Sequence, residues 1–372
     1  MPARRVFLDA SGRSPVTPRT ADAFLAGLAE GWADPARLTA ESRRARAVLD
    51  GATEAIAVAL GASPEHVHFT SGAHVAFDRA VAAVAAARRG RDRIVASAIE
   101  RRAVLDAAEQ VAPGAVTRVP VDRAGHVDSE HFAREVSDPA VSLALVQHGN
   151  HEIGTLQRLD GVADAAAAAQ VPLIVDASAT VGHVDAPERW DALVADPADW
   201  GAPLGLGVVA MRPRTRWLTA WPGDGFSPGG VSIPLVLAAA VALQERLESL
   251  EADRSRLAAL TATLRARLAQ LEGVTVVGDE IERLPHLVTA AFMYLDGEPI
   301  VSALDREGFA VGSGSACGSD TFEPSQVLAA MGALTHGNLR LGLTPGVDDS
   351  DVERFLATLP RVMEDVRRSM TA

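Results

Sequence analysis

The residue best suited to nucleophilic chemistry is Cys317, the only cysteine in the chain. It lies in a stretch rich in glycine and serine, between Gly312, Gly314 and Gly318. Such a backbone permits a mobile loop and keeps a thiol accessible. The sequence therefore predicts a nucleophile, a sulfur-carrying thiol or a redox sensor here, with an inert free cysteine as the plain alternative. A single cysteine also excludes an internal disulfide framework.

The basic residues are unusual, because all 35 residues counted as lysine or arginine are arginine. The chain has no lysine. An imine requires a primary amine whose pKa can be lowered, and arginine cannot replace it. Chemistry that depends on a lysine side chain is therefore not expected.

Two pairs of histidines are spaced so that both members of a pair could bind one metal ion. One pair lies at positions 148 and 151 and the other at positions 66 and 68. Neither pair has an obvious cluster of further metal ligands beside it. We predict ordinary structural histidines and no metal site.

The formal net charge of −13 argues against nonspecific binding to nucleic acid or to an anionic membrane. No apolar run is long enough to span a bilayer, and the N-terminal residues lead into a short apolar strand, not a signal-peptide core. We expect a cytoplasmic protein with small-molecule or protein partners.

Short apolar runs alternate with alanine-rich amphipathic stretches from about residue 20 to residue 230. The runs predicted as strands are 66–70, 93–97, 142–147, 171–176, 191–196 and 206–211. Helical patterns such as 76–87 and 161–170 lie between some of them. This alternation predicts an α/β fold with a mainly parallel sheet, and its ligand site beyond the carboxyl ends of the strands.

A long helical stretch over 232–271 is predicted to lead out of this region. Strand and helix patterns alternate again in the remainder of the chain. We predict a large α/β domain over 16–240 and a small α+β domain made of 1–15 and 241–372.

Several segments carry a family resemblance: FLD at 7–9, FTSG at 69–72, ERRAVL at 100–105, NHEIGT at 150–155, DASATVG at 176–182 and SGSAC at 313–317, with EPS at 323–325. Together they resemble the cysteine desulfurases of the class V aminotransferase group. The resemblance spans nearly the whole chain. It implies the fold of the fold-type I pyridoxal-phosphate transferases, with a mainly parallel sheet of the seven-stranded type, and a dimer with its active sites at the subunit interface.

The departures from the family pattern fall mostly at positions that would hold the cofactor. Asp199 stands at the Schiff-base lysine, Arg101 at the histidine that stacks on the cofactor ring, His74 at a phosphate-cup threonine and Ala179 at the glutamine facing the phenolic oxygen. We predict no covalently bound pyridoxal phosphate and leave noncovalent binding open. We also hypothesise that Asp199 and Arg101 pair in the altered pocket.

Other family positions are retained. The resemblance implies that Asp176 pairs with the pyridinium nitrogen, that Asn150 faces the cofactor, that Arg340 holds the substrate carboxylate and that Cys317 takes sulfur as a persulfide. Asp176 could instead cap local backbone, and Arg340 could be a structural ion-pair partner.

The leading interpretation is a cysteine desulfurase-like pseudoenzyme that relays sulfur or acts as a partner or regulatory subunit. It would form a homodimer, or a heterodimer with an active cysteine desulfurase relative, and meet a sulfur donor or acceptor protein. One alternative is another cleft enzyme, with Cys317 as nucleophile or with Asp199, Arg101, His74 and His151 handling acid–base chemistry on a small anionic substrate. The other is a desulfurase with a slow, lysine-independent mechanism.

Overall fold

The structure, a computed structural model, describes residues 4–219, 226–227, 229–313, 325–333 and 337–371. The strands in these residues are β1 (Val6–Leu8), β2 (Val67–Thr70), β3 (Arg93–Ser97), β4 (Val116–Val119), β5 (Val141–Gln147), β6 (Leu173–Asp176), β7 (Ala192–Ala195), β8 (Gly207–Met211), β9 (Val274–Val277), β10 (Leu287–Phe292), β11 (Phe309–Val311) and β12 (Gly337–Gly342).

The helices are α1 (Pro18–Glu30), α2 (Ala40–Ala59), α3 (Ala73–Ala86), α4 (Arg102–Val111), α5 (Ser129–Val136), α6 (Leu159–Ala168), α7 (Ile233–Leu268), α8 (Gly297–Arg306), α9 (Gln326–Ala330) and α10 (Asp349–Thr371). Short 3-10 turns cover Pro64–His66 and Pro197–Trp200.

The larger sheet has seven strands in the order β2-β8-β7-β6-β5-β3-β4. Every neighbouring pair is parallel except the two that involve β8, which is antiparallel to both β2 and β7. The predicted α/β class and mainly parallel sheet are therefore confirmed. Strand β5 is buried at every position, as expected for a central strand that is covered on both faces.

Helices cover both faces of this sheet. Helices α3 and α4 form one apolar layer with β3, β5 and β8. On the other face α2, α6 and the first part of α7 pack around Trp200, whose indole N–H donates to the carbonyl of Ala239 at 3.0 Å. This packing holds the strand ends, where the site lies, in fixed positions.

The smaller antiparallel sheet has the order β12-β10-β9, and β1 pairs in parallel with β11. The second half of α7 packs against it together with α8 and α10. Helix α7 has 36 residues, a length of about 54 Å at 1.5 Å per residue, and runs through residue 240 without a break. The division of the chain at that residue stays a prediction.

No helix among the described residues is both long enough and apolar enough to cross a membrane.

Candidate functional site

The site is built at the carboxyl ends of the parallel strands, as expected for this type of sheet. Glu100 and Arg101 follow β3, and Asn150 follows β5. Asp176 is the last residue of β6, and Asp199 lies in the 3-10 turn after β7. Strand order brings these residues together although they lie up to 99 positions apart in the sequence.

Arg101 joins two of these carboxylates. Its Nε lies 2.9 Å from Oδ2 of Asp176, and one of its terminal nitrogens lies 3.0 Å from Oδ2 of Asp199. The side chain of Arg101 is 16% exposed and those of both aspartates are 2% exposed. The hypothesis that Asp199 and Arg101 pair is confirmed. The same guanidinium also pairs with Asp176.

More carboxyl groups surround Arg101 than it can neutralise. Burial raises the pKa of Glu100 to about 8 and that of Asp199 to about 7, with further contributions from the charge of Asp176. Burial also raises the pKa of Asp196. Burial opposes the charge on Arg101, but Asp199 and Asp176 outweigh it and raise the pKa of the guanidinium.

Glu100 is the carboxyl group most suited to hold a proton at neutral pH. Its Oε1 accepts a hydrogen bond from the backbone N–H of Gln147 at 2.9 Å, and its Oε2 is buried from solvent. A protonated Oε2 costs less desolvation energy than a buried charge. Sequence reasoning missed Glu100 as a functional group, because it matches the family segment and so drew no attention.

The side-chain amide of Asn150 forms four hydrogen bonds within the protein. Its amide nitrogen donates to the carbonyl of Ile99 and to Oε1 of Gln147, both at 3.2 Å. Its amide oxygen accepts from the backbone N–H groups of Glu152 and Ile153 at 2.8 and 2.9 Å. These four bonds fix the loop after β5. A contact of Asn150 with a cofactor stays a prediction.

A second guanidinium, Arg340 on β12, is 6% exposed. Burial raises the pKa of Asp9, and the charge of Arg340 opposes that rise. His151 is held neutral, because burial and the charges of Arg101 and Arg340 lower its pKa well below its ordinary value. The cleft thus presents a neutral imidazole in the fields of two cations. The substrate role of Arg340 remains a prediction.

The other predicted positions differ in their surroundings. His74 is exposed in the first turn of α3. Ala179 is buried and packs in an apolar cluster with Leu284 and Leu287, so that it offers a methyl group and no polar atom. Cys317 lies outside the described residues. Of the motif that follows it, Ser325 is described, and its hydroxyl donates to Oε2 of Glu152 at 2.6 Å.

Two buried histidines lie directly beneath the Asp199 turn. The rings of His183 and His286 stack with centroids 3.9 Å apart and planes 18° apart. Nε2 of His183 lies 3.1 Å from the carbonyl oxygen of Asp199. Burial lowers the pKa of His183 to about 4 and that of His286 well below its ordinary value, so both rings are neutral. The two residues are far apart in the sequence, which therefore gives no signal of the stack.

One group in the described part of the chain has the donor types of a metal site, namely His126, Asp279 and Glu282. His126 Nε2 lies 3.0 Å from Oδ2 of Asp279 and 3.7 Å from Oε2 of Glu282. That Glu282 oxygen also accepts from Nε of Arg158 at 2.5 Å. Arg158 already pairs with one of the two carboxylates of this group, and we assign no metal to it.

Known proteins are similar to this chain along nearly its whole sequence. The family model described as aminotransferase class-V matches residues 6–355. The chain belongs to the aminotransferase class-V family. A cysteine desulfurase of Cereibacter sphaeroides is 31% identical over 98% of this chain and 97% of that protein. Cysteine desulfurase IscS 1 of Archaeoglobus fulgidus is 29% identical over 97% of both chains. The chain is therefore cysteine desulfurase-like over its full length.

Solved structures of this class-V group share the fold. A NifS-like protein superposes with a TM-score of 0.88 over 97% of this chain and 99% of its own, at 23% identity. An apo cysteine desulfurase from Thermococcus onnurineus superposes with a TM-score of 0.83 over 97% of this chain and 95% of its own, at 17% identity. The predicted fold-type I architecture is confirmed.

The cofactor prediction needs a correction. The sequence predicted no covalently bound pyridoxal phosphate and left only noncovalent binding open. Membership of the class-V family and similarity to cysteine desulfurases contradict this, because those enzymes depend on covalently held pyridoxal phosphate. The prediction relied on the absence of lysine and on the residues at positions 101, 179 and 199, and gave them more weight than the family as a whole.

The described residues of the cleft nevertheless differ from the residues that the resemblance assigns to binding this cofactor. Asp199 stands where the resemblance places the lysine, and Arg101 lies between the two aspartates, 2.9 Å from Asp176, the carboxylate that the resemblance assigns to the pyridinium nitrogen. Buried charges already paired in this way resist separation. We therefore derive no catalytic step through the cofactor.

Proposed function

We propose that this chain is a cysteine desulfurase-like pseudoenzyme that serves as a partner subunit in sulfur transfer. One observation carries the proposal: the buried guanidinium of Arg101 bridges Asp176 and Asp199 in the cleft where relatives perform their chemistry. Arg101 thereby pairs both with Asp176, which the family resemblance counts as retained, and with Asp199, which stands at the lysine position.

This cleft lacks a side-chain amine and is therefore poorly suited to chemistry that depends on one. A carboxylate at position 199 cannot form an imine or supply the neutral amine that moves protons in lysine catalysis. The other groups around Arg101 are carboxyls, and burial, helped by the charges of Arg101 and Arg340, lowers the pKa of His151 well below its ordinary value. These features support a loss of desulfurase turnover, while the fold remains intact.

The proposed role is as a homodimer, or as a heterodimer with an active cysteine desulfurase relative, that receives sulfur on Cys317. In the exchange step, the thiolate of Cys317 attacks the outer sulfur of the relative's cysteine persulfide. The bond between the two sulfurs of the donor breaks, and a new bond forms to Cys317. The donor leaves as a thiolate, so the transfer needs neither an oxidant nor a reductant.

The test is to mix the purified chain with the similar cysteine desulfurase of Cereibacter sphaeroides and ³⁵S-cysteine. The proposal predicts radiolabel on this chain that a thiol reductant removes, with no label on Cys317→Ser. Size-exclusion chromatography of the same mixture reports whether the two chains associate. Absence of label from the unaltered chain, with the donor fully labelled, would contradict sulfur transfer.

A second candidate is a lysine-independent cleft enzyme acting on a small anionic substrate. It is favoured by the raised pKa values of Asp199 and Glu100, about 7 and about 8, because perturbed carboxyl groups in one cleft are typical of acid–base catalysis. This candidate predicts that the chain alone turns over cysteine or a related anion. The pseudoenzyme predicts that it does not.

A further inference from the structure

A groove lies between helix α7 and the edge strand β9, away from the Arg101 cleft. It has a volume of about 730 Å³. Its walls include Ala258, Ala262 and Ala266 of α7 and residues 274–276 of β9. We propose that this α7–β9 groove binds an extended, acidic peptide segment of a partner protein, which adds a strand to β9.

Within the part of the chain that the structure describes, strand β9 has one side without a neighbouring strand, because the order β12-β10-β9 places it at the edge of its sheet. The N–H of Met293 donates to the carbonyl of Gly273 at 2.8 Å, so Gly273 faces β10. Backbone groups alternate along an antiparallel strand, and Thr275 and Val277 must therefore face β10 too. The N–H and C=O of Val276 point away from β10, toward the groove.

Edge strands usually carry charges, proline or a bulge that prevent pairing with another chain. The sequence of β9, Val-Thr-Val-Val, has none of these features. The flanking wall of α7 is made of exposed alanines, whose small side chains leave room for a further strand. Shape and hydrogen-bonding capacity both suit a peptide in extended conformation.

The charge of the groove is opposite to that of the chain. Three arginines, Arg254, Arg265 and Arg283, line it in a protein with a formal net charge of −13. Among the described residues, Arg265 and Arg283 form no ion pair with a carboxylate. Arg265 donates to the carbonyls of Val277 and Gly278 at 2.9 and 3.1 Å, beside the β9 edge.

Arg283 is the less satisfied of the two. Its terminal nitrogens donate to the carbonyls of Asp279 and Leu287, but no described residue accepts from its buried Nε, and burial lowers its pKa to about 9. The charge of the neighbouring Arg265 adds to this effect. A carboxylate in the groove would stabilise both guanidinium groups further, beyond the effect of Glu280 on Arg265 and of Asp279 on both. The groove therefore favours an acidic peptide over a basic one.

The test uses a fluorescein-labelled synthetic peptide in which valine and glutamate alternate, with a valine–lysine peptide as its matched control. Fluorescence anisotropy with the full-length chain should show binding of the glutamate peptide that weakens as salt is raised. Amide hydrogen exchange at Val276 should slow when this peptide binds. Equal binding of the lysine peptide, or unchanged exchange at Val276, would overturn the proposal.

Variants locate the site. Ala262→Trp fills the groove and should weaken binding at least tenfold, and Val276→Pro removes the outward N–H and should do the same. Arg254→Gln should weaken binding about threefold, the loss expected for one exposed charge pair. Arg361→Gln, on the surface of α10, is the control and should bind normally. Circular dichroism identifies any variant that fails to fold. Full binding by folded Ala262→Trp would contradict the assignment.

Discussion

Arg101 separates two aspartates that would otherwise repel each other inside the cleft. Removing one partner of a buried ion pair leaves an uncompensated charge, which costs more than the pair itself contributes. The free energy lost on removing Arg101 is therefore best compared with the loss in a variant whose two aspartates are replaced by neutral residues as well.

Arg101→Met should lower the free energy of unfolding by roughly 3–5 kcal/mol, because it leaves Asp176 and Asp199 buried and unpaired. The combined variant Arg101→Met, Asp176→Asn, Asp199→Asn should regain most of that loss. Urea denaturation at pH 7 measures both effects. Equal stability of the single and the combined variant would show that the network carries no buried charge.

Glu100 gives the stability a pH dependence of defined sign. Its pKa is raised from 4.5 to about 8 in the folded chain, so the folded state binds more protons between these values. Stability from this group is present below about pH 4.5 and is lost as the pH rises toward 8. Glu100→Gln should reduce the loss between pH 6 and pH 8 by about 2 kcal/mol. Parallel denaturation curves at the two pH values check this, and an unchanged difference would place an ionised Glu100 in the fold.

At the scale of elements, the sequence predicted the central strands well, because buried parallel strands read as continuous apolar runs. The run at 93–97 coincides with β3, and the long helix predicted over 232–271 is α7 (Ile233–Leu268). Strand β4 was not predicted. It lies at the edge of the sheet, and three of its four residues are not buried, so no apolar run marks it.

The sequence predicted the pairing of Arg101 and Asp199, because residues of opposite charge stand at two positions that the resemblance assigns to one pocket. The roles of Glu100 and of the His183–His286 stack were not, since they arise from burial and from contacts across the fold. The loop after β5 is a further case. The amide of Asn150 bonds to Ile99, Gln147, Glu152 and Ile153, contacts that the sequence does not reveal, while its cofactor contact stays a prediction.

Asn150→Ala should lower the free energy of unfolding by about 2–4 kcal/mol, since it leaves several buried backbone groups without partners. His74→Ala is the matched control at another position that the resemblance assigns to the cofactor, and because His74 is exposed it should change stability by less than about 0.5 kcal/mol. Thermal unfolding of both variants tests the comparison. A neutral Asn150→Ala would refute the structural role.

At the scale of the whole molecule, the fold is that of the class-V family. The seven-stranded sheet and its helix layers match NifS-like structures over nearly the full chain. Asp199 and Arg101, which the sequence analysis placed at cofactor positions, pair with each other at the strand ends. A fold of this kind can serve as a binding partner independently of catalysis. The α7–β9 groove lies apart from that cleft, so the two proposals can fail separately.

The most direct measurement is sulfide release from cysteine by the purified chain with added pyridoxal phosphate and a thiol reductant. The cysteine desulfurase of Cereibacter sphaeroides serves as positive control, and a protein-free mixture gives the background. The proposed pseudoenzyme predicts no sulfide above that background, for the unaltered chain and for Cys317→Ser alike. Sulfide that rises in proportion to the amount of this chain, and falls on Cys317→Ser, would contradict the account and establish a lysine-independent desulfurase.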